Sequence, residues 1–169
     1  MRTVLYLKAA NQADAEAEFD ALTHLPSEHG FTNVYAGMSR EIFMTTGLAQ
    51  LLNNPTGINL PNGYVPETDF FLWSDDHIVG LFKVRHYLTP ALRHGAGHIG
   101  YAILPAFRGR GYANQGLALA IQEARQIIHE DEIYLSVHRN NPASLAVQLK
   151  NGAVIAGENG EEYFTQIKL

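Results

Sequence analysis

Cysteine is absent from the 169-residue sequence. Its absence excludes disulfide bonds, thiolate zinc sites and a cysteine nucleophile, and it fits a reducing compartment. Long apolar runs are also lacking, because no segment approaches the ~18 residues that a membrane span needs. Lys8 interrupts the first apolar stretch before a signal-peptide core could form. We therefore expect a cytoplasmic protein that does not act at a membrane.

Positive charge is scarce: 12 Lys and Arg residues stand against 17 Asp and Glu residues, for a net charge of -5. Such a chain has no broad basic field to attract a phosphate backbone, so we expect no nucleic-acid partner. The content of 46% hydrophobic and 17% charged residues is typical of a globular protein. The length predicts one domain over residues 1–169.

Hydrophobic patterning and turn signals predict a mixed order of strands and helices. Strands are predicted at residues 3–7, 69–73, 78–85, 98–104, 132–137, 154–156 and 163–169, and helices at 13–25, 40–52, 113–129 and 142–150. The segment 53–66 contains prolines and glycines that break regular structure, and it predicts a surface loop beside a substrate site.

The predicted helix 113–129 carries the clearest periodicity. Leu117, Ile121, Ala124 and Ile128 follow one another at spacings of four, three and four, which places them on one helix face. A crossover from strand 98–104 through this helix should place strand 132–137 parallel to it and right-handed. The order as a whole predicts an α/β fold of the mixed α+β type, with one sheet covered by helices on both faces.

The segment from Pro105 to Asn114 joins a predicted strand to the start of the long helix. Gly109 and Gly111 allow a ligand close to the backbone, and a helix start attracts anions through free N–H groups and its dipole. Arg108 and Arg110 can neutralise phosphate charge. Neither a Walker loop nor a Gly-x-Gly-x-x-Gly fingerprint is present. The alternative is a plain turn with two solvated arginines.

The string Arg108-x-x-Gly111-x-Ala113 resembles the acyl-CoA pyrophosphate loop of the GCN5-related N-acetyltransferases, whose pattern is Gln/Arg-x-x-Gly-x-Gly/Ala. Residues 98–104 resemble the family's fourth strand, which splays from the fifth, here 132–137. Asn141 to Ser144 is similar to the family's Asn-x-x-Ala/Ser helix. The resemblance covers roughly residues 68–157, and segments 63–66, 85–88 and 97–101 look like a bacterial subgroup of predicted acetyltransferases.

This resemblance implies a sheet of about six or seven strands flanked by helices, and acetyl-CoA as co-substrate without a metal. It implies transfer of the acetyl group to a primary amine, small or peptidyl, by direct attack in a ternary complex. A backbone N–H near Ile103 would polarise the thioester carbonyl. The residues that would contact acetyl-CoA are Ala102, Ile103, Arg108, Gly109, Arg110, Gly111, Tyr112, Ala113, Asn114, Asn141 and Ser144.

The acid that protonates the leaving thiolate is not where relatives carry it. Many members place a tyrosine seven residues after the Asn of the last helix, a position that holds Gln148 here. Tyr101 or Tyr112 could take this role, and we expect Tyr101 to do so. Alternatively the thiolate leaves unaided, which its pKa near ~8.5 makes tolerable.

The candidate base is His98, whose ordinary pKa of ~6.5 suits neutral pH, with Glu67 next. His86 and Asp69 are further candidates. Against His98 stands the commoner case of a histidine that is structural.

Other side chains could form an acceptor pocket. Tyr87 and His94 could line it, and Glu28, Glu41 and Glu67 could attract a cationic amine, although a solvated surface is the ordinary reading for each.

Two other classes of function remain open at this point: a non-catalytic module that binds or senses acyl-CoA, which Gln148 motivates, and an interaction domain that has lost the cofactor. The histidines form no compact ligand set, so no metal site is predicted. The C-terminal hairpin could pair two subunits as a homodimer.

Overall fold

Residues 2–169, the part of the chain that the computed structural model describes, form seven strands and six α-helices. The strands are β1 (Leu5–Ala9), β2 (Glu67–Ser74), β3 (His77–Arg85), β4 (Ile99–Ile103), β5 (Glu132–His138), β6 (Val154–Glu158) and β7 (Glu162–Lys168). The helices are α1 (Ala15–Thr23), α2 (Arg40–Ile42), α3 (Leu48–Asn53), α4 (Pro90–Arg93), α5 (Tyr112–Ile127) and α6 (Pro142–Lys150). A π-helical turn, Phe43–Gly47, joins α2 to α3.

Antiparallel ladders group the strands into two sheets, ordered β1-β2-β3-β4 and β5-β7-β6. The sheets meet where Gly97 bridges Leu135 and the His98 N–H donates to Tyr134 O at 2.6 Å. Gly97 has φ +71°, and a Cβ there would lie 2.2 Å from Tyr134 O, so only glycine fits this crossing.

The mixed α/β fold is as predicted, but β4 and β5 do not form the ladder expected of neighbours in one sheet. Their only bridge within the described residues is the one at Gly97. The continuous hydrogen bonding of a single sheet is therefore interrupted between these two strands.

Helix α5 covers one face of the first sheet with its predicted apolar stripe. Leu117 and Ala124 of this stripe are fully buried, and so is Ala120 beside them. At Gly116 an added Cβ would lie 2.4 Å from Phe82 Cζ, so the missing side chain brings α5 close to β3.

The opposite face of the first sheet packs against α1, the π-helical turn and α3. Phe71 and Trp73 of β2 point to this side, whereas their neighbours Phe70 and Leu72 point to α5. Both faces are therefore covered, as the near-continuous apolar sequence of β2 requires.

Element boundaries differ from the prediction by a few residues. The long helix ends at Ile127, because Ile128 already has extended backbone. Helix α4 was not predicted, since four residues are too few to show periodicity; Thr89 caps it by accepting the Leu92 N–H at 3.2 Å. None of the helices in residues 2–169 is both long and apolar enough to cross a membrane.

Candidate active site

A cavity of about 950 Å³ opens between β4 and β5 and continues beneath the loops of the first half of the chain. Residues 99–103 line it from β4 and residues 136–138 from β5. Other walls come from residues 28–32, from 63–65 and from the turn before α5. The volume is at the upper end of the range of small-molecule and cofactor sites.

Two hydrogen bonds determine which backbone groups of β4 face this cavity. The Arg85 N–H donates to His98 O at 2.7 Å, and the Leu104 N–H donates to Val79 O at 2.8 Å. Because successive residues of a strand direct their backbone groups to opposite edges, the even-numbered residues of β4 pair with β3. The N–H groups of Tyr101 and Ile103 therefore point towards β5, from which no ladder within the described chain reaches them.

The turn before α5 presents further backbone donors. Gly109 and Gly111 both have φ +79°, a left-handed conformation that glycine adopts without strain. The first bond of α5 runs from the Gln115 N–H to Gly111 O, so the N–H groups of residues 112–114 have no acceptor inside the helix. Together with the helix dipole they form an environment suited to an anion.

The two arginines of the turn differ in position. Arg108 donates from Nε to Ile103 O at 3.0 Å, forms an ion pair with Glu28 and lines the cavity. Arg110 is exposed, lies over the Phe107 ring and is not among the residues that line the cavity. Arg108 thus joins the turn to both β4 and the loop after α1, whereas Arg110 is directed to solvent.

The start of α6 forms another wall of the cavity between β4 and β5. Asn141 caps the helix by accepting the Ser144 N–H at 3.3 Å, and both residues line the cavity. Asn151, just after α6, donates to Asn114 Oδ1 at 2.9 Å. This bond connects α6 to the first turn of α5, which places Tyr112, Ala113 and Asn114 along the same cavity wall.

Tyr101 reaches across the gap from β4 to α6. Its ring stacks on Phe82, and its hydroxyl shares a 2.6 Å hydrogen bond with Ser144 Oγ. Burial raises the pKa of Tyr101 above its ordinary value, so the phenol stays protonated at neutral pH. The predicted candidate Tyr101 therefore lines the cavity with its phenol protonated.

Gln148, at the position where the resemblance implies a tyrosine, lies outside the cavity. It is fully buried, donates to Ser136 O at 3.2 Å and accepts the Thr165 hydroxyl at 2.6 Å. It therefore holds α6 against β5 and β7.

His98 is also placed outside the cavity. It is fully buried, its Nδ1 accepts the Tyr134 N–H at 2.9 Å, and its Nε2 lies 3.5 Å from Glu130 Oε1. Burial lowers its pKa. The geometry does not support the expected role as base, because these contacts connect β4 to β5 instead.

A pair of carboxylates stands at the acceptor end of the cavity, which we define as the part beneath residues 28–35 and 63–65. Glu67 and Asp69 point to the same side of β2 and lie opposite Arg85 and Lys83 of β3. Glu67 is partly exposed, whereas Asp69 is 2% exposed. Burial, aided by the charge of Glu67, raises the pKa of Asp69 to about 7.

Several cavity residues were not identified from the sequence. Tyr35, Asn54, Lys83 and Arg85 all line the acceptor end. A signal existed for the last two, because polar residues recur at every second position of β2 and β3 in otherwise apolar strands. The expectation that segment 53–66 borders the site agrees with its position, since residues 63–65 line the cavity.

Other side chains considered for the acceptor pocket lie elsewhere. Tyr87 and Glu41 are exposed and do not line the main cavity, and His94 lines a separate pocket of about 330 Å³. His86 bonds Thr68 Oγ1 at 2.8 Å, also outside the main cavity. No cluster of three or more potential metal ligands occurs in the described part of the chain.

Comparison with known proteins identifies the arrangement. A family model described as the acetyltransferase (GNAT) domain matches residues 5–154. No curated protein matches the sequence significantly.

Several solved structures share the fold. The ribosomal-protein-S5-alanine acetyltransferase from Vibrio fischeri has 16% identity and a TM-score of 0.69, over 99% of this chain and 97% of that one. The spermidine N-acetyltransferase from Vibrio cholerae, solved with CoA and spermine, has 17% identity and a TM-score of 0.63, over 97% of this chain and 95% of that one.

Proposed function

Because the chain belongs to the GNAT family of acetyltransferases, we propose that it transfers the acetyl group of acetyl-CoA to a primary amine by direct attack in a ternary complex. The observation that carries this proposal is the cavity itself. It brings together the free edge of β4, the glycine turn before α5 and two carboxylates.

The residues present fit the co-substrate. The N–H groups of residues 112–114 suit the pyrophosphate, and Gly109 and Gly111 leave open space where side chains would stand. The free backbone groups of the odd-numbered residues of β4, Ile103 among them, suit the amide-bearing arm of CoA. Ala102 lines the cavity beside them. Asn141 and Ser144 line the opposite side. Acetyl-CoA supplies an activated acyl group when bound.

Catalysis by this chain rests on placement, charge and proton transfer. The N–H groups of Tyr101 and Ile103 would stabilise the negative charge that develops on the thioester carbonyl. The hydroxyl of Tyr101 can protonate the leaving thiolate. Glu67, the more exposed of the two carboxylates, attracts the ammonium form of the acceptor.

The acceptor that fits best is an amino-acid or peptidyl amine, for which the charges at the acceptor end provide the support. Lys83 and Arg85 stand beside Glu67 and Asp69, so the pocket offers two cations as well as two carboxylates. A polyamine would bring several positive charges close to the two cations. A dipolar acceptor, with an amine and a carbonyl or carboxylate, meets complementary charge at both ends.

The test is calorimetric titration with acetyl-CoA, followed by a thiol-release assay with amino acids, N-terminal peptides, polyamines and aminoglycosides. We expect binding, and release that is fastest with amino acids or peptides. Binding without release on any amine would favour the acyl-CoA sensor instead. Absence of binding would refute the assignment of the cavity.

A further inference from the structure

The acceptor end of the cavity holds a buried carboxylate that the described fold satisfies only in part. Asp69 lines the cavity, yet its Oδ1 has no hydrogen-bond partner among the residues the structure describes. An unpaired buried acceptor destabilises the fold, and does so more strongly when it is charged. Such an atom on a cavity wall indicates a ligand that supplies the missing donor.

Lys83 and Arg85 lower the pKa of Asp69 through their charge, but neither forms an ion pair with it in the described residues. Lys83, directly opposite on β3, donates from Nζ to Thr32 O at 2.7 Å and lies over the Phe31 ring. Arg85 donates from Nη1 to Gly97 O at 3.0 Å. Both side chains are thus engaged with backbone carbonyls of other segments.

Asp69 has titratable, charged or polar neighbours on its own strand and on three other segments. Titratable or charged neighbours come from β2, β3 and the segment before α2, and an amide comes from the turn after α3: Glu67, Lys83, Arg85, Tyr35 and Asn54. The nearest charge on its own strand is therefore another carboxylate, which favours a bound cation or proton.

We propose that Asp69 is the general base of the acetyl transfer, an inference that rests on the proposed function. An ammonium proton moves to Asp69 Oδ1 and leaves the amine lone pair free. The nitrogen then attacks the thioester carbon, the C–N bond forms and the C–S bond breaks. The nitrogen then loses its second proton to water, Tyr101 gives its proton to the thiolate and regains one from water, and Asp69 releases its proton to water.

Electrostatics are consistent with this role. With its pKa raised to about 7 by burial, Asp69 is a stronger base than an ordinary aspartate and is still substantially ionised at neutral pH. Glu67 is more exposed, and His98 does not reach the cavity.

The experiment compares Asp69→Asn with Glu67→Gln, using the amine that gives the fastest thiol release. The kcat/KM of the wild type should rise through a pH near 7 and fall at the pKa of the amine, because it needs ionised Asp69 and a protonated amine. In Asp69→Asn the kcat should fall by about 10² to 10⁴, and the rising limb should move to the pKa of the amine. Glu67→Gln should keep a rising limb, moved below pH 7 because the charge of Glu67 that helps to raise the pKa of Asp69 is gone.

Acetyl-CoA titration of Asp69→Asn checks that the variant is folded. If the variant does not bind acetyl-CoA, the test rests on the pH profile of the wild type alone. A wild-type profile without a rising limb between pH 6 and 8 then overturns the inference. Transfer that Asp69→Asn retains with an unchanged profile overturns the inference only. A wild type that acetylates no amine overturns the proposed function and this inference with it.

Discussion

Glu18 on α1 is a buried carboxyl that should make the fold less stable at alkaline pH. The residue is 1% exposed, its Oε1 accepts the Asn11 N–H at 2.9 Å, and its Oε2 has no partner in the described chain. Burial is the main cause that raises its pKa from 4.5 to about 7. The folded state therefore holds a proton that the unfolded chain has already lost.

The magnitude follows from that difference. Each tenfold change in proton affinity corresponds to about 1.4 kcal/mol, so the charged form of Glu18 should lower the free energy of unfolding by about 3 kcal/mol above pH 7. The loss should begin near pH 4.5 and be complete above 7. In Glu18→Gln the amide oxygen can keep the Asn11 bond, and the side chain never ionises.

The assay is urea denaturation of the wild type and Glu18→Gln between pH 5 and 8.5. We expect a difference of less than about 1 kcal/mol at pH 5 and a gain for the variant that grows to about 1–3 kcal/mol at pH 8.5. Glu16→Gln is the control, since Glu16 is exposed and pairs with Arg40. A stability difference that does not change with pH would refute the reasoning.

Three further variants test the site. Gly111→Val should weaken acetyl-CoA binding, as measured by calorimetry, because it strains a turn at φ +79°. The control Gly37→Val, at φ +74° and away from the cavity, should leave binding unchanged. Equal losses of binding in the two variants would show general destabilisation. Gly100→Val should lower kcat/KM for the acceptor about 10-fold or more while acetyl-CoA still binds, because a Cβ at Gly100 meets no atom within 4 Å and enters the cavity. Tyr101→Phe should lower kcat about 10- to 100-fold with little change in acetyl-CoA affinity, and an unchanged kcat would mean that the thiolate leaves unaided.

The sequence was informative where local backbone demands determine the residue. Gly109 and Gly111 are required by left-handed φ angles, and Asn141 by the cap of α6, so the turn and the last helix could be located from the chain alone. The apolar stripe of α5 likewise follows from its 3.6-residue period.

Residues whose role depends on tertiary packing were not predictable. His98 was the expected base, but the direction of its side chain depends on how β4 crosses β5 at Gly97. The engagement of Arg108 by Glu28 joins residues 80 positions apart, and no local pattern indicates it. The segments containing Tyr35 and Asn54 pack beside the buried Asp69, and the sequence of β2 alone does not indicate this contact.

The account's central claim is that acetyl-CoA binds along the free edge of β4. Amide hydrogen exchange of the wild type, measured by NMR with and without acetyl-CoA, tests it most directly. The N–H groups of Tyr101 and Ile103 should exchange more slowly when acetyl-CoA is present, whereas those of Gly100 and Ala102, already paired with β3, should change little. Equal effects on both sets, or none on Tyr101 and Ile103, would contradict the claim.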